Sequence, residues 1–146
     1  MDISSLDATG FRFKGKNSVV TYDRGVVAIG TDKPFKINAP GEYEVQGISV
    51  IGINGPTQIY VIEIDGVRIA VLDKTTEKLT DAQIEDMGSI DILVSSIPLA
   101  EVVAQVDPWV IVTEVAAEGV AKSAKYSVSA DKLPTETTTV ILERKD

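Results

Sequence analysis

The sequence lacks the two side chains that most often carry chemistry near neutral pH, since it contains no histidine and no cysteine. Histidine is the usual general base of enzymes, so neither a Ser-His-Asp nor a Cys-His arrangement can form. One nucleophile pattern remains: Ser95 and Ser96 follow an apolar stretch, and Lys74 could act as their base in a Ser–Lys dyad. No glycine elbow or oxyanion motif accompanies them, and the alternative is that the serines satisfy backbone groups at a strand end.

The same absence restricts metal binding. Transition-metal sites in enzymes depend on imidazole and thiolate ligands, although carboxylates alone could still hold magnesium or calcium. We therefore predict no metal ligand and no cofactor. Glu42 and Glu44 would lie on one face of a strand, where two carboxylates can share acid–base work, but a solvated strand face is the alternative.

The composition indicates a single globular domain over residues 1–146. The chain is 44% hydrophobic, 25% charged and only 5% aromatic, so its core must consist mostly of Val, Ile, Leu and Ala, which favours strands. A net charge of −8 without a cluster of Lys and Arg argues against nucleic-acid binding. No apolar run reaches the roughly 18 residues of a membrane helix, and residues 1–10 do not resemble a signal peptide. We therefore expect a cytoplasmic protein without membrane contact.

Turn residues recur along the chain at intervals of about 8–12 residues, as in β-rich domains. The strongest is Asp65-Gly66, a two-residue hairpin signal between the apolar stretches 59–64 and 67–72. In both arms the apolar residues exceed strict alternation, so this hairpin is predicted to be buried on both faces. Further strands are predicted at residues 11–13, 19–22, 26–29, 42–45, 48–53, 126–129 and 137–142.

Residues 79–88 carry the signals of a short helix. Thr80 can cap the first turn, Gln83 occupies the capping-box position, and Gly88 suits the left-handed residue that ends a helix.

A second helix is predicted at residues 98–106, with a proline at its start. Each helix is followed by an apolar stretch, at residues 90–94 and 109–113, and this strand–helix–strand order favours a parallel pair with a right-handed crossover. Residues 116–124 fit neither a helix nor a strand clearly. The predicted fold class is therefore α/β and β-rich, with two packed mixed sheets and few short outer helices.

Several of these turns and strands resemble a known family. Residues 40–47, Pro-Gly-Glu-Tyr-Glu-Val-Gln-Gly, resemble a segment of the metallo-β-lactamase-fold hydrolases, in the ascorbate-6-phosphate-lactonase-like branch of candidate zinc-dependent hydrolases. The resemblance implies a reduced metallo-β-lactamase αββα sandwich. It covers most of the chain from about Phe11 onward and continues through residues 59–70, 79–80, 88–94 and 133–134.

The resemblance also implies a metal site that this sequence does not retain. The family holds its metals with a His-x-His-x-Asp-His loop, two later histidines and a bridging aspartate. Between Asp23 and Pro40 the strand and loop that carry this signature are missing. The bridging aspartate aligns with Lys74, one residue after Asp73, and the last histidine aligns near Glu114.

These alignments make Asp73, Lys74 and Glu114 candidate ligand-binding or former metal-site positions, and no residue is predicted to be catalytic. The Lys74 ammonium paired with Glu114 could stand in for the lost attraction between metal and ligand. The alternative is that both are solvated surface charges, which contribute little to stability.

The sequence therefore predicts a non-catalytic, metal-free relative of zinc-dependent hydrolases that serves as a structural or interaction domain. Loss of the metal loop would expose apolar surface and unpaired strand backbone, so self-association or a protein partner is predicted. A mean hydropathy of +0.12 agrees with this. The first alternative is a module that binds a small anionic ligand in the vacated cleft through Lys74. The second is a metal-independent hydrolase that uses Ser95 or Ser96 with Lys74, or a carboxylate pair.

Overall fold

Two β-sheets pack against each other in the computed structural model, which describes residues 1–6, 9–55, 58–73 and 77–144. The strands of sheet A are β1 (Asp2–Ser5), β2 (Phe11–Lys14), β3 (Val19–Asp23), β4 (Val26–Ile29), β5 (Phe35–Ile37) and β13 (Lys125–Ser127). Their spatial order is β13-β1-β2-β3-β4-β5, and each neighbouring pair is antiparallel.

The eight strands of sheet B are β6 (Gly41–Val45), β7 (Ile48–Ile53), β8 (Ile59–Ile64), β9 (Val67–Leu72), β10 (Ile92–Val94), β11 (Val110–Thr113), β12 (Lys122–Ser123) and β14 (Thr138–Leu142). Their spatial order is β12-β14-β11-β10-β9-β8-β7-β6. The run from β6 to β9 is antiparallel, whereas β9, β10, β11, β14 and β12 are parallel to one another. The predicted mixed character therefore belongs to sheet B alone.

The main core lies between the sheets, and sheet A contributes to it with one face only. In β2, Phe11 and Phe13 are buried while Arg12 and Lys14 are exposed, as expected of an antiparallel strand with one face in water. Ile62 of sheet B belongs to the same core. The outer face of sheet A is polar and can remain in contact with water. In the described residues, no α-helix packs on it.

The central strands of sheet B are buried on both faces, which confirms the prediction for the hairpin at Asp65-Gly66. Its two turn residues have left-handed backbones, with φ angles of 52° and 80°, as a tight hairpin requires. Helices α1 (Asp81–Met87) and α2 (Ala100–Val106) cover the outer face. They form a second core with Val61, Ala70, Leu72, Met87 and Val102 among its buried members.

The first helix begins where its capping signals predicted. The Thr80 hydroxyl accepts a hydrogen bond from the Gln83 backbone N–H at 3.1 Å, and the Gln83 side chain accepts one from the Thr80 backbone N–H at 2.9 Å. The second helix begins two residues later than predicted. Leu99 keeps an extended backbone, and its carbonyl accepts the first bonds of the helix, from Val102 and Val103.

The strand–helix–strand prediction is confirmed, because β10 and β11 flank α2 and run parallel. Three short strands, β1, β5 and β12, were not predicted. The segment of β1, Asp-Ile-Ser-Ser, is mostly polar, and β12 has only two residues, so neither carries an apolar pattern. Residues 116–124 form no helix. In the described part of the chain, no helix has the length and apolar character needed to cross a membrane.

Candidate functional site

The carboxyl ends of the parallel strands of sheet B meet at one edge of the molecule, where open α/β sheets commonly bind ligands. Asp73 directly follows β9, Ser95 and Ser96 follow β10, and Glu114 follows β11. Arg144 lies two residues beyond the end of β14. These five residues define the strand-end site.

Arg144 and Glu114 form an ion pair at this site. The Arg144 Nη2 donates to Glu114 Oε1, and its Nη1 donates to the Gly10 carbonyl at 3.1 Å. The guanidinium also lies over the ring of Phe11, 5.8 Å from its centroid. The second oxygen of Glu114 accepts a hydrogen bond from the Ser5 hydroxyl at 3.0 Å. The carboxylate is therefore fully engaged.

The ion pair is largely shielded from water, since the side chains of Arg144 and Glu114 are 28% and 10% exposed. Burial lowers the pKa of Arg144, while the nearby carboxylates of Asp23 and Asp73 raise it. A guanidinium stays charged throughout the physiological pH range, so the site holds a fixed positive charge.

The hydroxyls of Ser95 and Ser96 both contact Asp73, the residue that follows β9. Ser95 Oγ donates to the Asp73 carbonyl at 2.8 Å, and Ser96 Oγ lies 3.1 Å from both that carbonyl and Asp73 Oδ1. Ser95 is also buried. These contacts are those of serines that satisfy backbone groups at a strand end, the structural alternative to a nucleophile. Lys74, the proposed base, lies outside the described residues.

A cavity of about 300 Å³ opens beside the ion pair. Two carboxylates, of Asp23 and Asp73, and two guanidinium groups, of Arg24 and Arg144, line it together with Tyr22. Burial, and then the charge of Asp73, raise the pKa of the Tyr22 hydroxyl to about 12, so this group stays neutral. The charges of the described lining residues balance, and they give the cavity no net positive charge.

The donor groups at the site do not fit the zinc ion that the resemblance implies. Zinc sites use imidazole, thiolate and carboxylate ligands, and the chain has no histidine or cysteine. Of the carboxylates, Glu114 is bound by Ser5 and Arg144, and Asp73 by Ser96. Within the described ranges, no three acidic residues lie in an arrangement that could hold a metal. Moreover, a guanidinium on Glu114 would repel a dication.

Asp73 and Glu114, two of the residues that alignment suggested, directly follow the two strands that flank β10, so they lie at the same end of these strands. The third, Lys74, lies outside the described residues. Sequence reasoning missed Arg144 and Ser5. Arg144 left a weak signal, a charge just beyond the last apolar strand, whereas Ser5 belongs to β1, which was not predicted.

The two facing sheets, with helices on the outer face of sheet B, match a metallo-β-lactamase-like fold. A crystal structure of a Thermotoga maritima protein has this fold: it aligns with 98% of this chain and 99% of its own, with a TM-score of 0.80 and 17% sequence identity. That protein is described as a candidate zinc-dependent hydrolase of the metallo-β-lactamase superfamily. No protein-family model and no curated protein matches the chain.

Proposed function

We propose that this protein is a non-catalytic, metal-independent relative of the metallo-β-lactamase-fold hydrolases and acts as an interaction domain. The observation that carries the proposal is the ion pair between Arg144 and Glu114 at the strand ends. The resemblance places a metal ligand near Glu114, and here that position binds a guanidinium of the same chain. The positive charge at the site is thus supplied by the protein itself.

The contacts of the serines also support a non-catalytic role. A serine nucleophile must present its hydroxyl to a base and to the substrate. The hydroxyl of the buried Ser95 is instead directed to the Asp73 carbonyl, and that of Ser96 is shared between this carbonyl and the Asp73 carboxylate, which is a much weaker base than an amine. The alternative of a metal-independent hydrolase therefore gains no support from the described residues. The anionic-ligand alternative rests on Lys74 and stays a prediction.

An exposed apolar loop next to the site favours self-association. Residues 115–121 follow Glu114 directly and are all exposed, yet only one of them, Glu118, is charged. Val115 is 45% exposed and Val120 is 37% exposed. Because exposed apolar surface of this kind is commonly covered by a partner, we propose that this loop packs against a second copy of the chain.

Elemental analysis and activity assays together test the non-catalytic proposal. The protein is purified from cells grown with added zinc, and its zinc content is measured after dialysis. Ester and lactone hydrolysis is then assayed with and without a chelator. We expect zinc well below one ion per chain and no hydrolysis above the buffer rate. Stoichiometric zinc, or hydrolysis that a chelator abolishes, would overturn the proposal.

A further inference from the structure

Strand β6 forms a free edge of sheet B. It pairs with β7 alone, in a register that runs from Gly41 opposite Gly52 to Val45 opposite Ile48. Within the described residues no other strand pairs with β6, so alternate backbone N–H and C=O groups along it point away from the sheet. Such an edge can accept one more strand.

A groove of about 570 Å³ lies between this edge and helix α1. Its floor is apolar and includes Ile51 and Ile53 of β7. The carboxylates of Glu42 on β6 and Asp86 on α1 stand among its lining residues, and both side chains are exposed.

A second hollow of about 480 Å³ shares Glu42 and Ile51 with the first and extends it to Glu44 on β6 and Glu63 on β8. The two hollows together form the acidic groove, defined by Glu42, Glu44, Glu63 and Asp86.

Among the described residues that line the acidic groove, Arg68 is the one cation, and it is already bound. The guanidinium of Arg68 donates to the carbonyl of Ser89 at 2.9 Å and to that of Met87 at 2.7 Å, and lies 3.9 Å from Glu63. Within the described part of the chain, the carboxylates of Glu42, Glu44 and Asp86 form no ion pair. The groove therefore has a negative charge that its own cation does not neutralise.

We propose that the free edge of β6 binds an extended segment of a partner protein that carries lysine or arginine at alternate positions. Side chains two residues apart on a strand lie on the same face, about 7 Å from each other. Glu42 and Glu44 have this spacing, so a strand added to β6 would match them with basic residues at positions i and i+2. The residue between two such basic residues would lie on the opposite face of the sheet, beside the half-buried Tyr43 and Val45, so we expect it to be apolar.

The negative charges on β6 make a second copy of the chain an unfavourable partner for this edge. Pairing of two β6 edges would bring Glu42 and Glu44 of one copy next to the same residues of the other, and like charges that face each other across strands are destabilising. The inference goes beyond the proposed function and does not depend on it, because the acidic groove and the strand-end site share no residue.

Fluorescence anisotropy with synthetic peptides tests this inference. The probe is a labelled nine-residue peptide of alternating valine and lysine, and its controls are the same peptide with glutamate for lysine and one with an N-methyl group on every backbone nitrogen, so that neither edge of the peptide can donate hydrogen bonds. We expect saturable binding of the lysine peptide, at least tenfold weaker binding of both controls, and weakening by 0.5 M salt. Equal binding of the N-methylated peptide would show that the backbone edge is not used and would overturn the proposal.

Two charge-reversed proteins locate the site. The variant E42K/E44K should lose at least tenfold in affinity for the lysine peptide. The control D32K/E136K makes the same change in net charge at two exposed positions outside the groove, and it should bind within about twofold of the original protein. Circular dichroism confirms that both variants fold. Equal losses in the two variants, or the absence of saturable binding to the unmodified protein, would refute the proposal.

Discussion

Arg144 and Glu114 follow neighbouring parallel strands, β14 and β11, and their side chains form an ion pair across the ends of those strands. The pair joins the end of the described chain to three other parts of the fold. Arg144 also binds Gly10, in the connection between β1 and β2, and Glu114 binds Ser5 at the end of β1. Sheet A and sheet B are thus linked by charge-assisted hydrogen bonds at this site, in addition to the apolar core between them.

Removing both charges of the ion pair should destabilise the protein by less than the two single substitutions added together. Arg144→Met leaves the shielded Glu114 carboxylate without its cation, and Glu114→Gln leaves the guanidinium without its ion-pair partner. We expect each single variant to lower the free energy of unfolding by about 3 kcal/mol, because shielded charges without a partner are costly. The double variant should lose less than the sum of the two, with a coupling of about 1–3 kcal/mol.

Urea unfolding of the four proteins measures this coupling. The matched control is the ion pair of Lys78 and Glu101. Lys78 Nζ lies 3.5 Å from Glu101 Oε2, and both side chains are more than half exposed. Its double-mutant cycle should give a coupling below about 1 kcal/mol. If the Arg144 cycle gave no more than the exposed pair does, Arg144 would be a surface charge, and the main support for the proposed function would be lost.

Substitutions in the apolar loop test self-association. Lysines in place of Val115 and Val120 add charge to residues 115–121 and should convert an associating protein into a monomer. Sedimentation velocity at protein concentrations from about 1 to 100 µM measures the oligomeric state. The control is Thr135→Lys, an exposed residue outside the loop, which should leave association unchanged. A monomer for the unmodified protein throughout this range would contradict the proposal.

The fold could be predicted largely from local patterns. The hairpin at Asp65-Gly66 and the capping box at Thr80 appear in the structure as the sequence indicated, because each signal consists of residues that interact within a few positions. The parallel pairing of β10 and β11 followed from general rules on strand–helix–strand connections.

The strand-end site could be predicted only in part. The positions of Asp73 and Glu114 follow from the ends of apolar strands, which sequence patterns show. Their partners do not, since Arg144 lies 30 residues from Glu114 in the chain and Ser5 lies 109 residues from it. Contacts over such separations depend on how the two sheets pack, and no local pattern encodes that.

Alkaline pH should destabilise the protein through its buried tyrosines. Burial and the charge of Asp73 raise the pKa of Tyr22 to about 12, and burial raises the pKa of Tyr60 to about 12, against 10.0 for an unperturbed tyrosine. The folded state therefore holds these protons more tightly than the unfolded state. Stability from this source is fully present below pH 10 and is lost as the pH rises from about 10 to about 12.

Tyr22→Phe should reduce the loss of stability between pH 10 and pH 12 by about 2 kcal/mol, since one of the two groups no longer titrates. Urea midpoints at pH 8, 10, 11 and 12 measure the effect, and lysine titration cancels in the comparison with the unmodified protein. Tyr60→Phe should also lower stability at pH 8, because the Tyr60 hydroxyl donates to the Gly25 carbonyl at 2.7 Å. Identical pH dependence of the original protein and Tyr22→Phe would refute this account.

Gly10 should tolerate no side chain, because two constraints act on it together. Its φ of 81° is left-handed, and a Cβ added there would lie 2.3 Å from the carbonyl oxygen of Tyr22. Since the Gly10 carbonyl also accepts the hydrogen bond from Arg144, a shift of this backbone would disturb the ion pair. We expect Gly10→Ala to lower the free energy of unfolding by about 3 kcal/mol or more.

Gly47→Ala is the matched control for that loss. Gly47 has nearly the same φ, 79°, but a Cβ added there would have no atom within 4 Å. It should cost only the left-handed strain of an alanine, about 1 kcal/mol. The difference between the two variants, measured by urea unfolding, therefore isolates the close approach between Gly10 and Tyr22. Equal losses would mean that backbone strain alone acts at Gly10 and that the chain around the strand-end site can move aside to accept a methyl group.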